Sequence, residues 1–276
     1  MKDEFKTEPI QLLPVLGSLV FGIVCAYLVK VSNIGLFAVT PFPEGPESLI
    51  NALYFVILAG VGATLLYLLI KRKKLRAISL ITGFALTAAI LMLSIFYLSA
   101  AFSVLAISST TALILTLAVA SSVTVLADLA IFKVQGRISN FVILLLGGAL
   151  GAFLGISIPI ISAVLILAFL AIYDVFAVYR GPVGKIAQSG LDQLRGLSFS
   201  FRDVQIGLGD LTFYSMLTGM VLANAGLIFC AVSAIGIIAG VLLVLKMLEK
   251  RGMFPGLPFP VFLGLLPLIV YLLLSR

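Results

Sequence analysis

The sequence predicts an all-α polytopic membrane protein with nine transmembrane helices, its N-terminus cytoplasmic and its C-terminus extracytoplasmic. Three observations carry that expectation. Of 276 residues, 62% are hydrophobic and 11% are charged, whereas a soluble domain carries about 25% charged residues. The apolar residues come in runs long enough to cross a bilayer as helices, which takes roughly 20 residues each. The 18 basic residues gather in short segments between alternate runs, the pattern that the positive-inside bias produces. A net charge of +7 distributed in this way is topology information, so the expected environment is the lipid bilayer and no nucleic-acid partner is implied.

Apolar length, with charge and Pro/Gly punctuation, sets the helices at about 10–30, 49–70, 77–99, 102–127, 138–157, 160–180, 204–224, 226–246 and 257–274. The leading MKDEFKTEP has mixed charge and no small-residue cleavage pattern follows it, so the first helix reads as retained rather than as a removed signal peptide. The next connection, NIGLFAVTPFPEGPES, holds Glu44 and Glu47 and reads as an ordinary solvated loop. Lys71–Lys74 and Arg76 separate the second and third helices, and a short turn in YLSAAFS (97–103) separates the third and fourth. In the fifth, GGALGAFLG sets Gly147, Gly151 and Gly155 four apart on one face, and Gly236 with Gly240 repeats the spacing in the eighth. Small residues at that spacing let helices approach closely, a packing role. Cys25 and Cys230 fall within predicted spans and read as small packing residues, with no disulfide framework or redox motif. No internal repeat is visible.

The chain divides into a six-helix N-terminal bundle (1–180), a cytoplasmic loop (181–203) and a three-helix C-terminal unit (204–276). With nine crossings and the N-terminus inside, every basic residue except Lys30 and Arg276 lies on the cytoplasmic side. A miscounted span would scramble that asymmetry.

Nine of the 11 acidic residues, Asp128 among them, fall in the tail, in loops or at helix ends. Asp174 and Asp210 remain deep. Asp174 precedes Arg180 by six residues, about 9 Å along a helix. Asp210 follows Asp203 by seven, about 10 Å from the same boundary. Antiparallel neighbours would set these carboxyls at one depth, facing each other in the cytoplasmic third of the membrane. Two carboxyls close together in a low-dielectric site do not readily both ionise, so the pair holds one proton near neutrality. The charged member can then act as general base on a water while the protonated member donates to a peptide carbonyl, which is direct hydrolysis without a covalent intermediate. The chain has no histidine, which removes HExxH zinc chemistry and the usual base for a serine or cysteine nucleophile. Intramembrane acids also serve as proton or ion pathways, so a cation or proton leak, or an ion-coupled transporter, is the alternative.

AIYDVFAVYR (171–180), IGLGDLTFYS (206–215) and PGLP (255–258) resemble, in order, the YD, GxGD and PALP motifs of the presenilin and signal peptide peptidase family of intramembrane aspartyl proteases. The resemblance implies a presenilin-like fold, Asp174 and Asp210 as the catalytic pair, and transmembrane-helix peptides or remnant signal peptides as substrates. No cofactor, no metal and no obligatory partner subunit are evident in the sequence, and the expected location is the cell membrane. The orientation is similar to presenilin's and opposite to that of signal peptide peptidase. The chain's size and lack of accessory loops fit a prokaryotic or archaeal presenilin homologue. Two departures stand out: glycine occupies the alanine position of the third motif, at Gly256, and the connection after the sixth helix lacks the long apolar segment at which presenilin is cut, so one intact chain is expected. A prepilin-type GxGD peptidase, the third reading, would have fewer spans and no PxLP loop.

Residues around the pair extend the expected substrate site. Gly207, Asp210 and Tyr214 would share a helical face, and Gly207 and Gly209 would clear room for a substrate backbone or for the sixth helix, with Leu208 between them in the substrate site. Tyr173 could lend its hydroxyl to Asp174 or to substrate, or simply pack. In GLSFSF (196–201), Leu197, Phe199 and Phe201 alternate with serines, the period-2 pattern of a strand. That segment either pairs with an unwound substrate by strand addition or lies as an amphipathic interfacial stretch. Pro255, Gly256, Leu257 and Pro258 form either a site-lining loop or the punctuation that starts the ninth helix.

Overall fold

The computed structural model describes residues 7–32, 34–35, 38–107, 109–134, 136–181, 196–201 and 204–274. Among these lie nine helices of 17 to 30 residues: α1 (Leu13–Ser32), α2 (Ser48–Lys71), α3 (Leu75–Val104), α4 (Ser109–Asp128), α5 (Gly136–Ser157), α6 (Ile160–Tyr179), α7 (Leu208–Ala225), α8 (Leu227–Arg251) and α9 (Pro258–Leu274). One antiparallel hairpin, β1 (Ser198–Phe201) and β2 (Val204–Gly207), precedes α7. The protein is therefore nearly all-helical rather than all-α.

Seven helical segments are long and apolar enough to cross a membrane by length and composition. The other two fall short for different reasons. α9 has 17 residues. α7 has 18, of which 12 are buried, and a helix wrapped by other helices has no need of a lipid-compatible surface. It accordingly carries the buried polar residues Thr212, Ser215 and Thr218 along with Asp210.

The enclosure of α7 follows from the glycines. A Cβ on Gly147 would sit 2.8 Å from the Leu211 Cβ, one on Gly151 would strike the Thr212 carbonyl oxygen, and one on Gly155 would strike that of Met216. The glycine face of α5 is thus a groove in which the α7 backbone lies. Gly22 of α1 closes the third side, its would-be Cβ 3.0 Å from both the Gly148 oxygen and the Ser215 Cβ. Gly236 and Gly240 do the same between α8 and α9, against the Leu263 oxygen (2.6 Å) and the Pro260 Cα (2.5 Å). Both cysteines are buried and free.

Several boundaries differ from the sequence expectation. α3 runs through YLSAAFS, whose small residues do not break a helix and whose Ala100 is fully buried. The chain turns instead at 105–107, with Ala106 at φ +51°. α4 continues into a π-helical turn, Leu129–Val134, so Asp128 lies inside the unbroken candidate span Thr110–Val134 and not at a helix end. Its Oδ2 accepts the Thr87 hydroxyl at 2.8 Å, while its buried Oδ1 has no hydrogen-bond partner among the described residues. Val204–Gly207, expected as the first turn of the seventh helix, pairs with β1, so that helix starts at Leu208. α8 extends to Arg251, beyond the expected 246.

The first connection is also more than a solvated loop. The Glu44 carboxylate accepts the Ile161 N–H at 2.7 Å, satisfying a free donor at the start of α6. The fully buried Asn51 amide bonds the Phe42 backbone in both directions and the Ser162 hydroxyl. Residues 182–195, most of the expected cytoplasmic loop, lie outside the described residues. So do Lys2, Lys6, Lys185, Arg195, Arg202 and Arg276 of the charge argument.

Candidate active site

The two deep acids come from helices that end and begin near each other. Asp174 lies five residues before the last residue of α6, and Asp210 is the third residue of α7. Asp210 therefore sits in a first helical turn, where unpaired N–H groups and the helix dipole face a carboxylate. The Gly207 N–H turns toward it. Gly207 is the extended residue capping that helix, at φ −78° and ψ 142°, so it shares no helical face with Asp210 and Tyr214. Its would-be Cβ lies 3.5 Å from the Asp210 Oδ2. Both aspartates are half-buried.

The loop before α9 joins the two. The Leu257 N–H donates to the Asp174 Oδ2 at 3.0 Å, and the Gly256 N–H turns to the same carboxylate. A Cβ on Gly256 would lie 3.1 Å from the Asp210 Oδ1 and 3.2 Å from its Oδ2. One dipeptide therefore lies against both carboxylates. The Gly256 carbonyl accepts the Tyr214 hydroxyl at 2.8 Å. Stacked rings of Phe254 and Phe259, 5.7 Å apart, bracket the loop. Pro255 and Leu257 are buried, and Gly256 and Pro258 are half-buried. Pro258 also opens α9, so the loop is both the helix start and a lining of the site.

The hairpin runs into the same site through Gly207. β1 pairs Phe199 with Ile206 and Ser198 with Gly207, and the Leu197 carbonyl accepts the Leu208 N–H at 2.8 Å. Four residues of strand thus lead directly into the GxGD turn. Leu208 is buried and Gly209 is exposed, its would-be Cβ 3.8 Å from the Phe213 ring and clear of closer neighbours. The Tyr173 hydroxyl lies 3.5 Å from where a Cβ on Gly60 of α2 would stand. It makes no hydrogen bond to Asp174 among the described residues.

Sequence reasoning leaves out two features of the site. Tyr214 shares the Asp210 face of α7, as its spacing predicts, and the partner of its hydroxyl, the PGLP loop, is what the spacing leaves open. β2 was hidden under a helical expectation, although Val204 and Ile206, buried on one face around an exposed Gln205, carry the period of two that marks a strand.

Residues 12–192 match the family described as signal-peptide peptidase, presenilin aspartyl protease. The chain belongs to that family. The matched stretch includes Asp174 and ends before Asp210 and PGLP. Among solved structures, the chain is similar to a presenilin family intramembrane aspartate protease in a C222 crystal form. The TM-score is 0.65 at 20% identity, over 95% of this chain and 97% of that one, a likeness of fold. None of the curated proteins matches. The protein is a multi-pass member of an intramembrane protease family.

Proposed function

We propose that this protein hydrolyses peptide bonds within transmembrane segments of other membrane proteins, or within remnant signal peptides, through a water activated between Asp174 and Asp210. The observation that carries the reading is the Gly256–Leu257 dipeptide in contact with both carboxylates. In the catalytic cycle, the ionised member of the pair takes a proton from water as the water oxygen attacks the scissile carbonyl carbon. The protonated member gives its proton to the carbonyl oxygen. The ionised member then takes a proton from the resulting gem-diol as the protonated member gives its own to the amide nitrogen, and the C–N bond breaks. The pair ends with one proton, as it began. Which aspartate starts protonated is a property of the pair and not of either residue.

Substrate must be extended at the scissile bond, because helical carbonyls are already hydrogen-bonded. β1 offers the strand for it to join, and Phe199, Gly207, Leu208, Gly209 and residues 255–258 surround the reacting peptide. Tyr173, directed toward α2, would meet substrate arriving from that side. The proposed topology is nine crossings with a cytoplasmic N-terminus in the cell membrane, with no cofactor and no obligatory partner subunit. Two end-to-end contacts support it: the Thr7 hydroxyl donates to Glu249 at the end of α8 (2.7 Å), and the Lys30 Nζ donates to the Leu222 carbonyl near the end of α7 (2.9 Å). Each joins chain ends that alternation assigns to one side.

The test is to incubate the purified protein in detergent with a single-span peptide and compare Asp174→Ala and Asp210→Ala. Cleavage by the native protein, absent in both variants, is expected. Ion flux in liposomes without proteolysis would favour a channel or transporter.

A further inference from the structure

We propose that Tyr214 is a positioning residue that acts on Asp174 through the Gly256–Leu257 peptide. The proposal rests on Asp174 and Asp210 being the catalytic pair. A single peptide unit is held at both ends: its oxygen accepts the Tyr214 hydroxyl at 2.8 Å and its N–H donates to the Asp174 Oδ2 at 3.0 Å. In a trans peptide the C=O and N–H lie in one plane and point in opposite directions, so fixing the oxygen aims the N–H.

The composition of the loop makes that aim consequential. Pro255 and Pro258 have no amide hydrogen, so PGLP owns two N–H groups, and both turn to Asp174. Gly256 has no side chain through which the loop could be anchored, and a Cβ there would already press on the Asp210 carboxylate at 3.1 to 3.2 Å. The Tyr214 hydroxyl is therefore the lateral restraint on the peptide plane. Tyr214 stands four residues after Asp210 on α7, so one helix carries one acid and the clamp that orients the donors to the other. A hydrogen-bonded row of hydroxyl, peptide and carboxylate also polarises along its length, each bond strengthening the next. Tyr214 is 4% exposed, so it acts through the loop and not by touching substrate.

The experiment compares Tyr214→Phe with Tyr97→Phe in the single-span peptide assay. Tyr97 is a matched control, since its hydroxyl donates to a backbone carbonyl, Ala149, at 2.7 Å, on α5 and outside the site. Removing Tyr214's hydroxyl alone should lower kcat at least about tenfold, with KM held within about twofold, because misplacing a catalytic group costs rate rather than binding. Tyr97→Phe should keep kcat within about twofold. An unchanged kcat in Tyr214→Phe, or an equal loss in Tyr97→Phe, overturns the clamp. If Tyr214→Phe does not fold, Tyr214 is replaced by para-aminophenylalanine, which keeps a donor at the same reach. Retained cleavage then supports the clamp, and lost cleavage in a folded protein overturns it. Cleavage surviving in Asp174→Ala or Asp210→Ala would instead reject the dyad itself.

Discussion

At the scale of single residues the site depends on a glycine. Gly256 stands where the family motif has alanine, and its would-be Cβ falls 3.1 to 3.2 Å from the Asp210 carboxylate, tighter than ordinary van der Waals contact. A methyl there must push the loop or the carboxylate by a few tenths of an ångström, whereas a branched side chain has no such escape. Gly256→Ala should therefore keep measurable cleavage. Gly256→Val should reduce kcat by about 100-fold or more, the order expected for an ångström of misplacement, with the thermal unfolding midpoint close to native. Equal activity in the two variants, measured by product formation under saturating peptide, would show that the loop does not press on Asp210. Of these residues, Asp174 and Asp210 were legible in the sequence because an acid in an apolar run is costly and conspicuous. Tyr214's role was not, since a tyrosine hydroxyl's partner is a matter of tertiary contact that spacing along one helix leaves open.

Elements were legible wherever composition forces one periodicity. The GxxxG faces of α5 and α8 pack as expected, against α7 and α9, because a missing Cβ has one physical use in a helix seam. Gly151→Leu should cost at least about 2 kcal/mol of stability, at the upper end of overpacking penalties, since its side chain would have to occupy the Thr212 carbonyl. Chemical unfolding in detergent measures it, and a native-like midpoint would contradict the seam. Residues 196–201 were readable as a strand, but β2 was not separated from α7, because Val-Gln-Ile-Gly continues into the helix without a proline or charge to stop it. The end of α3 was misplaced for the related reason that Ser and Ala neither break nor extend a helix strongly. The hairpin yields its own prediction. Phe199→Pro, which removes a strand N–H, should impair cleavage of a transmembrane peptide while leaving the helical circular dichroism intact. Unchanged cleavage would reject strand addition as the mode of substrate binding.

For the whole molecule, the arrangement concentrates polarity where helices, not lipid, surround it. α7 is enclosed by α1 and α5 along most of its length, while α2 presents Ile57, Leu58 and Val61 outward, as a lipid-facing helix does. That is why apolar length marks seven of the helices as candidate spans, yet α7 falls short of a membrane span when judged by its own residues. The central claim is that Asp174 and Asp210 work as one unit across the Gly256–Leu257 dipeptide. The most direct measurement is the rate of single-span peptide cleavage by Asp174→Ala, Asp210→Ala and the double variant. Residues that act together lose nearly everything at the first substitution, so each single variant should be as inactive as the double. Substantial cleavage by either single variant, or losses that multiply in the double variant, would contradict the account.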